Sequence, residues 1–179
     1  MTSEHRPAFA LPAALLSQGF TLRPETDADT AFLMRLYAST REEEMAPVPW
    51  SAAQKQTFLA SQFQAQRQHY RSYFPDSAFD LIEQSREPVG RLYLQLRQTQ
   101  LHIIDIALLP EWRGRGTGTA ILRALQIAGR ASGKGVGIMV EKFNPALRLY
   151  RRLGFTPIAD HEIYLEMEWL PDGAELHVA

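Results

Sequence analysis

The chain has no cysteine, which excludes a disulfide framework, a thiolate zinc site and a catalytic cysteine, and suits a reducing compartment. It also has almost no net charge. Its 19 lysines and arginines against 20 aspartates and glutamates leave −1, too little cation to neutralise the several phosphates that a nucleic acid presents at once. No nucleic-acid partner is therefore expected. No run approaches the roughly 18 to 20 apolar residues of a membrane span, so no membrane partner is expected either, and a cytoplasmic location is. The one targeting-like stretch, Ala8 to Leu16 behind Arg6, is interrupted by Pro12 where the apolar core of a signal peptide is continuous. It reads as an N-terminal arm. Internal repeats and low-complexity segments are also lacking.

What is present is the composition of an ordinary globular domain: 179 residues, 45% hydrophobic and 22% charged. That length holds one substantial core. The expected organisation is an arm over 1–18, a single domain over 19–170 and a polar tail over 171–179.

Apolar periodicity orders the elements. Phe20 to Arg23 reads as a strand, after which Asp27 can cap a helix carrying Ala31, Leu33, Met34, Leu36 and Tyr37. Ser51 can cap a second helix to about His69, with Phe58, Leu59 and Phe63 at helical spacing. Phe79 to Glu83, Val89 to Leu96 and Leu101 to Leu109 read as three strands joined by short, hairpin-sized connections. The last is nearly continuous in apolar residues, as a central strand covered on both faces would be. Thr117 to about Ala131 is a helix, Val136 to Val140 a strand, and Asn144-Pro145 a helix start stopped by Gly154. Phe155 to Ile158 and Ile163 to Trp169 supply two more strands. The order predicts an α/β fold with a mostly antiparallel sheet.

The chemistry concentrates in Arg113-Gly114-Arg115-Gly116-Thr117-Gly118, placed between the most apolar strand and a well-formed helix. Unpaired N–H groups and partial positive charge at a helix start attract phosphate, and glycines let its oxygens reach the backbone. Arg113 and Arg115 add forked donors suited to a pyrophosphate. The spacing does not fit a P-loop, which ends in Gly-Lys-Ser/Thr, nor the dinucleotide fingerprint, which needs glycine where Thr119 stands.

Arg-x-x-Gly-x-Gly after Ala107-Leu108-Leu109-Pro110-Glu111 resembles the acetyl-CoA motif of the GNAT superfamily. The later segment Asn144-Pro-Ala-Leu-Arg-Leu-Tyr150-Arg-Arg-Leu-Gly154-Phe155 resembles that family's second signature, and the likeness runs from about Val89 to Trp169. It implies a mixed, mostly antiparallel sheet of six to seven strands flanked by about four helices. It implies acetyl-CoA as co-substrate, no metal, and direct transfer of acetyl to a small-molecule or peptide amine in a ternary complex. A homodimer is compatible with it. The resemblance assigns Ile106, Ala107 and Leu108 to backbone pairing with the pantetheine arm. It assigns the turn Arg113 to Gly118, with Thr119 beside it, to the pyrophosphate, Asn144 to a cofactor contact, and Tyr150 to protonation of the departing thiolate. A tyrosine hydroxyl near pKa 10 can supply a thiolate near 8.5 once positioned. By pattern alone, a tyrosine placed as Tyr150 is with Ala146, Leu147 and Leu153 is more often a core aromatic whose hydroxyl finds a partner.

The general base stays open among His102, Asp105, Glu141 and water, with His102 the first choice because its ordinary pKa near 6.5 lets it accept a proton at pH 7. Asp105 is a lone carboxylate in an apolar strand and needs a partner if buried. Period-two alternation places His102 and Asp105 on opposite faces. Trp50, Tyr70, Tyr73 and Phe74 are candidates to line an acceptor pocket, and Arg41-Glu42-Glu43-Glu44 could attract a cationic amine. Two rivals remain: a non-catalytic module that binds and senses acyl-CoA, and a transferase using the Gly114 turn for ATP.

Overall fold

In a computed structural model of the protein, residues 9–172 are described. Seven strands form one sheet in the order β1-β2-β3-β4-β5-β7-β6. They are β1 (Phe20–Pro24), β2 (Ala78–Gln84), β3 (Glu87–Leu96), β4 (Gln100–Leu108), β5 (Gly135–Glu141), β6 (Thr156–His161) and β7 (Tyr164–Trp169). Every pairing is antiparallel except the central one, between β4 and β5. The described residues also hold α1 (Ala13–Leu16), α2 (Thr30–Thr40), α3 (Glu42–Met45), α4 (Ala52–Tyr73), α5 (Thr117–Ser132) and α6 (Leu147–Arg152). This is the GNAT fold, with α1 and α3 single turns beyond the four helices expected. No helix among the described residues is long and apolar enough to cross a membrane.

Two apolar layers hold the sheet between helices. On one face Leu92, Leu94, Ile103, Val136, Ile138 and Met167 pack against Ile121, Leu122 and Leu125 of α5. Each such burial contributes about 1.5–3 kcal/mol. Phe9, Leu11 and Leu15, in the segment expected as an arm, belong to the same cluster, while residues 1–8 and 173–179 lie outside the described part. The opposite face is covered by α2 and α4 through Leu33, Tyr37, Phe63 and Leu81.

The caps explain where the helices begin. Ser51 and Gln54 form a reciprocal capping box at the start of α4, as the sequence predicted. At α2 the expected cap, Asp27, is displaced. Thr26 and Asp29 form the box on a 3-10 turn over Asp27–Asp29, and α2 continues from it. Asp29 is the better partner because Arg23 grips both its oxygens, at 2.7 and 2.8 Å.

Candidate active site

The central pair of strands does not stay together. β4 and β5 pair only from Gln100–Gly135 to Ile103–Ile138, and beyond Ile103 they part. Residues 104–107 are accordingly half-buried in the middle of the sheet. Leu109 N–H donates to the Val89 carbonyl, and main-chain groups of an antiparallel strand alternate in direction. Asp105 and Ala107 therefore pair toward β3, while Ile106 and Leu108 present their N–H and C=O toward the gap. Of the three residues expected at a pantetheine edge, two offer backbone to it. The Leu108 carbonyl is already engaged by Arg113 Nε at 2.8 Å.

The same strand carries a bulge. Tyr93 pairs with Asp105 and Leu94 with Ile103, so Ile104 has no partner on β3. One extra residue shifts the alternation by one. His102 lies opposite Gln95 and Asp105 opposite Tyr93, and these partners are two apart, so His102 and Asp105 share a face. The expectation of opposite faces is thus corrected; unbroken period two fails at the bulge.

On that shared face the two side chains have different surroundings. Asp105 Oδ2 accepts from the Tyr70 hydroxyl and from Arg91 Nη2, both at 2.8 Å, and the Arg91 side chain is only 4% exposed. Asp105 Oδ1 makes no hydrogen bond among the described residues. His102 lies in the paired part of β4, buried, stacked on Phe74 with ring centroids 6.3 Å apart. Its Nδ1 is 3.2 Å from Gln100 Oε1, and Gln100 Nε2 donates to the buried Glu168 at 2.7 Å. Burial, then the charge of Arg97, lowers the His102 imidazole to about 4, so it is neutral and a weak base at pH 7. Glu141, at the end of β5, is held by Arg41 Nη2 at 3.1 Å, and Arg41 also holds Glu44 at 2.9 Å.

On the far side of the gap, Tyr150 of α6 is 4% exposed and meets the Phe155 ring at 5.7 Å. Burial, then the negative charge of Asp105, pushes its hydroxyl well above the ordinary tyrosine range. Asn144 Oδ1 caps the turn before α6 by accepting from Ala146 N–H at 2.9 Å, which leaves its amide N–H₂ as a donor. The helix itself begins at Leu147.

The glycine turn stands at the mouth of the gap. Gly114 and Gly116 have φ of 69° and 86°, the left-handed region that favours glycine. A Cβ at either would meet nothing within 4 Å, so the turn is an open cradle. Gly116 is the N-cap of α5 with no side-chain cap, so the N–H groups of Thr117, Gly118 and Thr119 are left for an external acceptor. This fits a pyrophosphate. Arg113, expected at the pyrophosphate, donates from Nη2 to Ser39 Oγ at 2.9 Å, tying the turn to the end of α2. Arg115 makes no ion pair among the described residues and lies over the Trp112 ring at 5.6 Å.

Of the aromatics expected near the acceptor, Tyr70 and Phe74 reach this face, whereas Tyr73 lies against His69 at 4.3 Å and Trp50 meets Phe58 edge-on at 5.4 Å, all toward solvent. The sequence reading missed Arg91. Its signal was a single charge inside the apolar run Val89 to Leu96.

Residues 75–157 match a family model described as the acetyltransferase (GNAT) domain. Among solved structures, the chain is similar to PaiA N-acetyltransferase from Thermoplasma acidophilum in complex with coenzyme A, at 15% identity and TM-score 0.63, covering 85% of this chain and 99% of that one. An acetyltransferase from Thermus thermophilus gives 19% and 0.60, with 85% and 97% covered. A GNAT-family acetyltransferase from Bordetella pertussis gives 21% and 0.52, with 83% and 94% covered. None of the curated proteins matches the chain by sequence.

Proposed function

We propose that the chain, whose segment 75–157 matches the GNAT acetyltransferase model and whose fold is shared with solved GNAT structures, transfers acetyl from acetyl-CoA to a primary amine, directly and in a ternary complex. The observation that carries this reading is the parting of β4 from β5, which opens an unpaired strand edge leading to an uncapped, glycine-lined helix start. An extended amide-bearing arm can add to that edge as a short strand would, with its pyrophosphate on the first turn of α5. The backbone of Ile106 and the Leu108 N–H would hold the arm. Gly114, Gly116, Thr117, Gly118, Thr119 and Arg115 would hold the phosphates, and Asn144 would donate to the arm beside α6.

The transfer forms one N–C bond and breaks one C–S bond, with one proton leaving the amine and one reaching the sulfur. Asp105 suits the amine side better than His102. Its Oδ1 is unengaged among the described residues on the open stretch of β4, while Tyr70 and Arg91 fix the other oxygen. It can orient the nitrogen, stabilise the positive charge that develops there, and pass the proton to water. Tyr150 keeps its proton at any physiological pH and can give it to the sulfur. The thiolate would be desolvated in the same pocket, so burial raises both partners together.

The burial of Tyr150 among Leu147 and Phe155 favours one alternative, an acyl-CoA-binding module without turnover. Thermal unfolding with excess acetyl-CoA, coenzyme A, ATP or NAD tests the cofactor. At about 100 times Kd, stabilisation is roughly 2.7 kcal/mol, or about 5–10 °C for a chain of this size. A rise with ATP or NAD alone sinks the assignment.

A further inference from the structure

Across the gap from Asp105, the β5–β7 half of the sheet leaves one face without a covering helix among the described residues. Met139 and Glu141 pair with Glu166 and Tyr164, and directly opposed residues share a face. Their neighbours Ile138, Val140 and Met167 point the other way, into the core. His102 and Gly137 are partners across β4 and β5, so the open face is the one that carries Asp105. Its floor is apolar: Met139 is 45% and Tyr164 39% exposed. Phe143 and Ile163 are exposed beyond the strand ends, where Lys142 N–H donates to the Ile163 carbonyl.

The charges on this face are unequal. Arg41 is shared between Glu44 and Glu141, and Arg91 is committed to Asp105. Glu166 has the His161 ring at 3.5 Å and lies within the field of Arg97. Lys142 is held by Asp160 at 2.5 Å. Glu162, between β6 and β7, and Glu42 and Glu43, which follow Arg41 in the chain, are exposed and make no ion pair among the described residues. The face therefore joins an apolar floor to an excess of carboxylate, with Arg41 and Arg91 already ion-paired and Arg97 donating through Nε to Gln95 Oε1 at 2.8 Å.

We propose that the acceptor is a primary amine with an apolar body and no carboxylate of its own, a refinement that rests on the acetyl-transfer reading. The surplus carboxylates draw in the ammonium. The stem of such an amine buries against Met139 and Tyr164. A carboxylate beside the amine, as in a free amino acid, meets Glu141 and Asp105 and finds Arg41 and Arg91 engaged with the protein's own carboxylates, which is the repulsive half of a selectivity.

Matched pairs test this: phenethylamine against phenylalanine, and tyramine against tyrosine, read by release of the coenzyme A thiol with acetyl-CoA binding measured separately by calorimetry. The amine of each pair is expected to exceed the amino acid at least tenfold in kcat/KM. Met139→Lys, at an exposed position, is expected to raise KM for phenethylamine about tenfold and leave acetyl-CoA affinity unchanged. Equal or better turnover of the amino acids overturns the proposal. So does retained acetyl-CoA binding with no turnover of either amine. Absence of acetyl-CoA binding instead removes the transfer reading itself, and the proposal with it.

Discussion

His102 and Asp105 project from the same face of β4, opposite Gln95 and Tyr93, because the bulge at Ile104 turns the strand between them. They nevertheless serve different ends of it. His102 is zipped between β3 and β5, while Asp105 stands where β5 has parted.

Asp105→Ala removes the only anion among the described residues within bonding distance of the Arg91 guanidinium. Leaving a buried charge unpaired costs about 3–5 kcal/mol, or roughly a 6–20 °C fall in Tm at this chain length. Calorimetric unfolding checks the stability. Turnover measured well below the new Tm is expected to fall by at least tenfold. Activity within twofold of the parent would remove Asp105 from the mechanism.

Tyr150→Phe deletes a hydroxyl that makes no side-chain hydrogen bond among the described residues and keeps the ring against Phe155. Stability is expected to change by no more than about 1 kcal/mol, and acetyl-CoA affinity by less than threefold. Loss of a positioned general acid lowers kcat by about 10²-fold or more. Unchanged kcat would favour another proton source.

His102 predicts a pH dependence of stability. Its pKa is depressed from 6.5 to about 4 in the folded chain, so between these values the unfolded chain binds a proton that the native state refuses. The stabilisation is complete above pH 6.5 and is lost as pH falls toward 4. It amounts to about 3 kcal/mol at one pKa unit per 1.36 kcal/mol. Denaturant unfolding from pH 7 to 4 should show that slope, and His102→Gln should flatten it. The same slope in the variant would place its origin elsewhere.

Gly116→Ala places a Cβ in open space but at φ 86°. The left-handed backbone costs about 1–2 kcal/mol for an alanine. The added methyl also stands in the phosphate cradle, so acetyl-CoA affinity is expected to fall by tenfold or more by titration calorimetry. Full affinity with the same stability loss would move the pyrophosphate away from this turn.

The sheet's seven strands and the helices α2, α4, α5 and α6 were legible in the sequence because each is a local pattern: period two, period 3.6, a capping serine at Ser51, glycines at Gly116 and Gly133. The glycine turn and the segment around Tyr150 were legible for the same reason. Each is a run of contiguous residues whose types answer to one local geometry. The partners of the reactive groups were not. Arg91 and Tyr70 meet Asp105 from β3 and α4, Arg113 turns from the phosphate turn to Ser39 on α2, and Arg41 crosses to Glu141. One unpaired residue at Ile104 sets which way Asp105 faces. Local residue types decided the elements and the phosphate turn. Only the tertiary structure decided which carboxylate stands in the gap, because a bulge and the parting of two strands arise from pairing across the sheet and leave no periodic trace in the chain.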